Sequence, residues 1–278
     1  MPAAGLALPV RREKVRPMPE LPTEHGTLFY EVLEPPEQPA GRVETLTLLH
    51  NFLSTGRAAW GPLLADLARS YRILLPDLPG HGRSQGYPPG FDHGAMARDV
   101  AALMVAEDAT SGHLAGASAG GVIAQLLVHQ KWVQPATLTL VSTTHSMDPD
   151  RAGAPIRLDP DVFQAGRNWL AATARLHDPY HYPGYFDQEL LPAFRRLDVQ
   201  RTIDLPLSSL SSWAFPVCLI HGEEDEIFPV SIARRMAEYL PMAELHVVPR
   251  QSHALILRQP RTVGRLMMAF LARHRPDS

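Results

Sequence analysis

One serine stands out in this 278-residue chain. Ser118 sits in Gly116-Ala117-Ser118-Ala119-Gly120, at the end of a strand-like run and the start of a helix-like one. A serine hydroxyl is a weak nucleophile until geometry and a nearby base activate it. A very tight strand-to-helix turn lifts Oγ clear of the sheet and aims the next backbone N–H groups at the same point. Small residues two before and two after let the backbone cross itself without Cβ clashes. The same five residues also read as a glycine-rich turn capped by a serine, and partners elsewhere separate the two readings. The apolar run 215–220 leads into an acidic turn, Gly222-Glu223-Glu224-Asp225. Asp225 lies past the strand end, where the active-site groups of parallel sheets collect. Another strand-like run, 245–249, leads to a loop holding His253. Glu223, Glu224 and Glu226 flank Asp225 as alternative acids. A serine, a carboxylate and an imidazole, each just past a candidate strand, are the groups of acyl transfer.

Further motifs resemble the α/β-hydrolase superfamily over about residues 24–275. Besides the serine turn, Asp77-Leu78-Pro79-Gly80-His81-Gly82-Arg83-Ser84 resembles the loop after the family's second central strand. Residues 50–60, from His50 to Trp60, resemble its oxyanion loop. His221-Gly222, Asp225 and Pro229 resemble its acid loop, and Ser252-His253 with Gln259-Pro260 its histidine loop. The resemblance implies a catalytic set in the chain order Ser118, Asp225, His253, and it favours Asp225 over the neighbouring glutamates. It further implies an oxyanion hole built from the backbone N–H groups of Phe52 and Ala119, with His50, His81 and His221 organising loops. Three positions depart from the family pattern. Asn51 stands where Gly is common after the loop histidine; it suits a positive φ there or adds a donor near the site. Ser252 replaces a Gly before His253, and Arg258 stands where a Glu is common. These departures bear on loop geometry and substrate preference.

The elements that must position these groups follow from hydrophobic patterning. Strands are expected at 27–33, 43–50, 71–76 and 136–141, besides the runs 215–220 and 245–249. Helices are expected at 57–69, 92–107 and 119–130, and again after Pro229 and Pro260. This alternation implies an α/β fold with a doubly wound, mostly parallel sheet, matching the fold that the resemblance implies. The core spans 23–145 and 213–278. Between them, 146–212 shows helical pieces at 161–176 and 187–197 but no buried strand, and reads as a mainly helical cap inserted over the active site. Its centre, 177–186, is aromatic and turn-rich, which suits a pocket wall or plain packing. Asn51, Trp169, His177, Tyr180 and Tyr185 are the residues expected to contact substrate. Residues 1–22 read as a poorly ordered extension, rich in Pro and Arg.

Composition narrows the partners. A formal net charge of −3 offers no argument for binding nucleic acid or an anionic membrane. No apolar run approaches the ~20 residues that a membrane span needs. The one cysteine, Cys218, allows no internal disulfide, so a cytoplasmic setting is expected. The histidines show no metal-binding spacing, and no phosphate or dinucleotide glycine motif is present, so neither metal nor cofactor is expected. The leading expectation is a carboxylic-ester hydrolase (esterase, lactonase or thioesterase) acting on a small-molecule acyl substrate. A C–C bond hydrolase or perhydrolase using the same three groups is one alternative. Asn51, Arg167 and His177 would be polar groups available to the C–C reaction. A non-catalytic receptor on the same fold is another alternative.

Overall fold

A computed structural model describes residues 19–36, 43–158 and 167–274. Eight strands form one sheet: β1 (Glu20–Pro22), β2 (Thr27–Leu33), β3 (Thr45–Leu49), β4 (Arg72–Pro76), β5 (His113–Ala117), β6 (Thr137–Val141), β7 (Val217–Gly222) and β8 (Ala243–Val248). Their order is β1-β2-β4-β3-β5-β6-β7-β8. β2 runs antiparallel to β1 and β4, and every other pairing is parallel. The sequential direction reverses between β3 and β5, and such a switch point opens a crevice at the carboxyl ends of the strands. Ser118 follows β5 there.

The period-2 alternation of strand side chains assigns each helix to a face. Leu46, Leu48, Ile73, Leu75, Cys218 and Ile220 pack on one side with Trp60 and Leu64 of α1 (Gly56–Leu67). Leu49, Leu74, Leu114, Leu138, Leu140 and Leu219 pack on the other with Val100 of α2 (His93–Ala106) and Ile123 of α3 (Ala119–His129). Strands β3, β5, β6 and β7 are buried along their whole length, which is why they read as continuous apolar runs. Caps fix the helix starts: Thr55 Oγ1 accepts from Ala58 N–H and Asp92 Oδ1 from Ala95 N–H.

Between β6 and β7 the chain makes α4 (Pro149–Ala152), α5 (Arg167–His177), a 3₁₀ turn (Asp178–Tyr180), a π-helical turn (Phe186–Leu190), α6 (Leu191–Arg195) and α7 (Leu207–Leu210). The first part of the helix expected at 161–176 lies outside the described residues. The helix expected at 187–197 differs in kind. Leu191 N–H reaches back five residues to Phe186 O, because Pro192 supplies no N–H and its ring crowds the carbonyl four back. The remaining helices are α8 (Val230–Tyr239), α9 (Leu255–Arg258) and α10 (Pro260–Arg273). None of the helices in the described residues is long and apolar enough to cross a membrane. At the amino end, the extension expected over 1–22 ends in structure. Glu20–Pro22 pairs with β2 as an edge strand, and Tyr30 N–H donates to Pro19 O. Residues 1–18 lie outside the described ones.

Buried imidazoles tie the 146–212 segment to the sheet. His50, His81, His93 and His177 are fully buried. Leu78 N–H donates to His50 Nε2 and Gly82 N–H to His177 Nδ1. A ring nitrogen that accepts a hydrogen bond carries no proton, so His50 and His177 are neutral here. Burial pushes His50 down to about 3 and His93 and His177 to about 4. Burial, then the neighbouring His50 and His177, push His81 well below the ordinary imidazole value. Because these folded-state values are depressed, the unfolded chain takes up protons first. Stability is therefore complete above about pH 6.5 and is lost as pH falls toward the folded values. At pH 5 each residue costs up to about 2 kcal/mol, against a total of ~5–15 kcal/mol for a typical domain. Thermal unfolding followed by circular dichroism is expected to show a steep loss of Tm between pH 7 and 5. His93→Asn keeps a donor toward Arg201 O and is expected to reduce that slope.

Candidate active site

The turn after β5 holds Ser118 at φ 49° and ψ −113°, a region costing a non-glycine residue about 1–3 kcal/mol. Surrounding bonds hold it there. Ser118 N–H donates to Val141 O, while Ser118 O accepts from Val122 N–H and from the Thr143 hydroxyl. The flanking glycines are obligatory on contact grounds. A Cβ on Gly116 would stand 2.3 Å from Gly120 O, and one on Gly120 would stand 2.3 Å from Leu49 O. The turn thus needs no side-chain atoms at the two crossing points.

Past β7 the acid turn wraps the Asp225 carboxylate. Oδ1 accepts from Ile227 N–H and Phe228 N–H at 3.0 and 2.8 Å. His221 Nε2 lies 3.1 Å from Oδ2 and 2.7 Å from Phe228 O. A carbonyl only accepts, so that nitrogen carries the proton and serves both oxygens. Burial raises the Asp225 carboxyl, but the His253 ring and the bonds from His221 and His253 outweigh it and hold the carboxyl far below the usual range.

The histidine loop is clamped to the same turn. His253 N–H donates to Glu226 Oε2 and Arg250 N–H to Glu223 Oε2. The glutamates beside Asp225 thus hold backbone, while Asp225 meets the His253 ring, with Nδ1 3.0 Å from each carboxylate oxygen. That places the ring proton on Nδ1 and the Nε2 lone pair toward Ser118 Oγ, 2.9 Å away. Phe228 packs edge-on against the ring at 5.2 Å. The three side chains therefore form one hydrogen-bonded chain, Ser118–His253–Asp225, with Asp225 and His253 buried.

Phe52 and Ala119 border a recess of about 20 Å³ beside Ser118 and His253, room for roughly one water-sized group. Ala119 opens α3, whose first N–H groups have no partner within the helix. Asn51 does not have positive φ; two residues on, Leu53 does, at 63°. The Asn51 amide nitrogen donates to Phe52 O, so the side chain braces its own loop.

A larger cavity of about 300 Å³ opens on Ser118 and His253. Asn51 and Trp169 line it; His177, Tyr180 and Tyr185 are not part of its lining. His177 is committed to Gly82 N–H. Tyr185 Oη donates to Gly80 O. Tyr180 is partly exposed, its ring over the Arg83 guanidinium. The Arg167 side chain lies outside the described residues. Sequence reasoning placed none of Phe194, Ile256, Leu257 and Arg258 in the wall, although Arg258 stood out as a departure bearing on substrate preference. For the last three the available signal was proximity, since α9 begins two residues after His253.

With this geometry in hand, comparison with known proteins is direct. The sequence pattern of the family described as Alpha/beta hydrolase family matches residues 48–266. The chain belongs to the alpha/beta hydrolase family. Among relatives of this hydrolase, RutD of Variovorax paradoxus, whose name assigns it carbamate hydrolysis provisionally, is 27% identical over 88% of this chain and 96% of its own. The pimeloyl-[acyl-carrier protein] methyl ester esterase of Yersinia pseudotuberculosis is 27% identical over 81% of this chain and 92% of its own. The 2-hydroxy-6-oxo-6-phenylhexa-2,4-dienoate hydrolase of Rhodococcus sp. strain RHA1 shares the fold with a TM-score of 0.71 at 21% identity, covering 91% of this chain and 97% of that one.

One glycine offers a test of how the site is held. A Cβ on Gly222 would stand 2.4 Å from Gln251 O and 2.7 Å from Ser252 O, so Gly222→Ala must push the histidine loop away from β7. Overpacking of this kind costs about 1–3 kcal/mol. The wild type is expected to show a downfield imidazole N–H resonance from the His253–Asp225 bond. In Gly222→Ala that resonance is expected to vanish while the far-ultraviolet spectrum is retained.

Proposed function

We propose that this alpha/beta hydrolase is a serine hydrolase that cleaves a carboxylic ester (oxygen ester, lactone or thioester) through an acyl-enzyme on Ser118. The observation that carries the reading is the hydrogen-bonded chain Ser118–His253–Asp225 facing an apolar cavity. In this reading His253 Nε2 takes the Ser118 proton as Oγ attacks the carbonyl carbon. Asp225, kept ionised by its four donors, holds the Nδ1–H tautomer and stabilises the imidazolium. The tetrahedral oxygen occupies the small recess and accepts from the N–H groups of Phe52 and Ala119. His253 then protonates the leaving group, and water repeats the sequence on the acyl-enzyme. The segment 146–212 acts as a cap: Trp169 and Phe194 from it line the cavity. Residues 23–145 and 213–278 form the hydrolase core. The cytoplasmic location expected from the lone cysteine belongs to the same reading.

The ester reading is favoured over C–C cleavage because two of the three candidate polar groups make hydrogen bonds to backbone. Asn51 braces Phe52, and His177 accepts from Gly82. A receptor differs in turnover. Hydrolysis of p-nitrophenyl acyl esters across chain lengths is expected to be sustained and to show an optimum set by a cavity of about 300 Å³. Ser118→Ala is expected to fall to within about 10³–10⁴-fold of the uncatalysed rate, and Asp225→Asn to lose about 10⁴ in kcat. A single burst from folded protein would instead mark a receptor, and near-wild-type rates in Ser118→Ala would overturn the site.

A further inference from the structure

Among the described residues the cavity wall has one permanently charged side chain. Around Ser118 and His253 the described lining is otherwise apolar or neutral, and it includes Trp169, Phe194, Ile256 and Leu257. Arg258 is the exception. It ends α9, the short helix that starts two residues after His253, and it is exposed, as is Leu257 beside it. Exposure of these two, with Ile256 buried, puts Leu257 and Arg258 on the outer part of the lining and Ile256 deeper. A substrate entering this cavity meets hydrocarbon near the nucleophile and a fixed positive charge near the entrance. The family resemblance has a carboxylate residue at this position, so the side-chain charge is reversed here.

We propose that Arg258 sets substrate choice, and that the preferred ester carries a free carboxylate of its own, separated from the scissile carbonyl by an apolar stretch. This deepens the serine-ester reading and rests on it. The guanidinium is always charged, and its planar fork matches a carboxylate with two parallel N–H donors. It has five donors, so contacts made within the protein do not exhaust it. An arginine at this helix end also complements the terminal carbonyls of α9, but that role alone would not distinguish charged from neutral substrates.

The test compares matched esters. One pair places the charge on the acyl side: mono-p-nitrophenyl glutarate against p-nitrophenyl valerate. The other places it on the alcohol side: 4-(butyryloxy)benzoate against phenyl butyrate. The quantity read is the ratio of kcat/KM, charged over neutral, in each pair. One pair is expected to show a ratio raised about tenfold by Arg258, as for a charge-assisted hydrogen bond at a partly exposed site. Measured against wild type, that ratio is expected to drop about tenfold in Arg258→Met, to drop further in Arg258→Glu, and to shrink as salt screens the charge. The responding pair identifies the side that faces Arg258. Ratios unchanged between wild type and Arg258→Met in both pairs would overturn the proposal. Absence of any Ser118-dependent turnover in all four esters would instead overturn the serine-ester reading, and the Arg258 proposal with it.

Discussion

The structure depends on one close backbone crossing. The first turn of α3 passes over the carboxyl end of β3 so tightly that a Cβ on Gly120 would stand 2.3 Å from Leu49 O and 2.6 Å from His50 O. Such an approach is open only to glycine. It fixes two things together: the strained Ser118, two residues before Gly120, and the loop that leaves β3 through His50 toward Phe52. The recess between Phe52 and Ala119 is the product of that crossing. Loosening it would move the Phe52 loop and Ser118 in different directions, because they follow different strands.

The other half of the site uses a different device. No strained residue is needed at Asp225; its carboxylate is saturated instead, by two backbone N–H groups, His221 and His253. A buried carboxylate with fewer donors would be neutral rather than ionised. The same turn reaches across to the histidine loop through Glu226 and Glu223. Acid and imidazole are thus delivered as one assembly at the ends of β7 and β8, and the 2.9 Å contact to Ser118 joins that assembly to the β5 side.

Much of this was legible in the sequence, for reasons particular residues make clear. Parallel strands buried on both faces read as unbroken apolar runs, so β3, β5 and β6 were visible. Glycines forced by backbone contact gave Gly116 and Gly120 away. Sequence neighbours could not separate Asp225 from Glu223 and Glu226, because acids so close in one turn share the same reach; the family pattern favoured Asp225, and in the structure Asp225 meets the His253 ring while the two glutamates bind backbone. The edge strand Glu20–Pro22 was invisible, since three residues carry no period. The aromatic stretch 177–186 was visible, but not the direction its side chains face. Tyr185 and His177 turn toward the carbonyl of Gly80 and the N–H of Gly82, a backbone demand that residue type does not announce.

That demand comes from the two glycines of the 79–84 loop. Gly80 and Gly82 both take positive φ, which leaves the Gly80 carbonyl and the Gly82 N–H without regular-structure partners. Tyr185 and His177 supply those partners: the tyrosine hydroxyl donates to the Gly80 carbonyl and the His177 ring accepts from the Gly82 N–H. Behind them His81 lies edge-on to Phe52 at 4.6 Å and to His50 at 5.4 Å. The inserted segment is therefore joined to the Phe52 loop directly, where Phe194 meets the Phe52 ring at 5.8 Å, and through neutral imidazoles and Tyr185. These groups pack as apolar rings while satisfying buried backbone, which is how one side-chain type both fills the space behind Phe52 and keeps the turn beside it hydrogen-bonded.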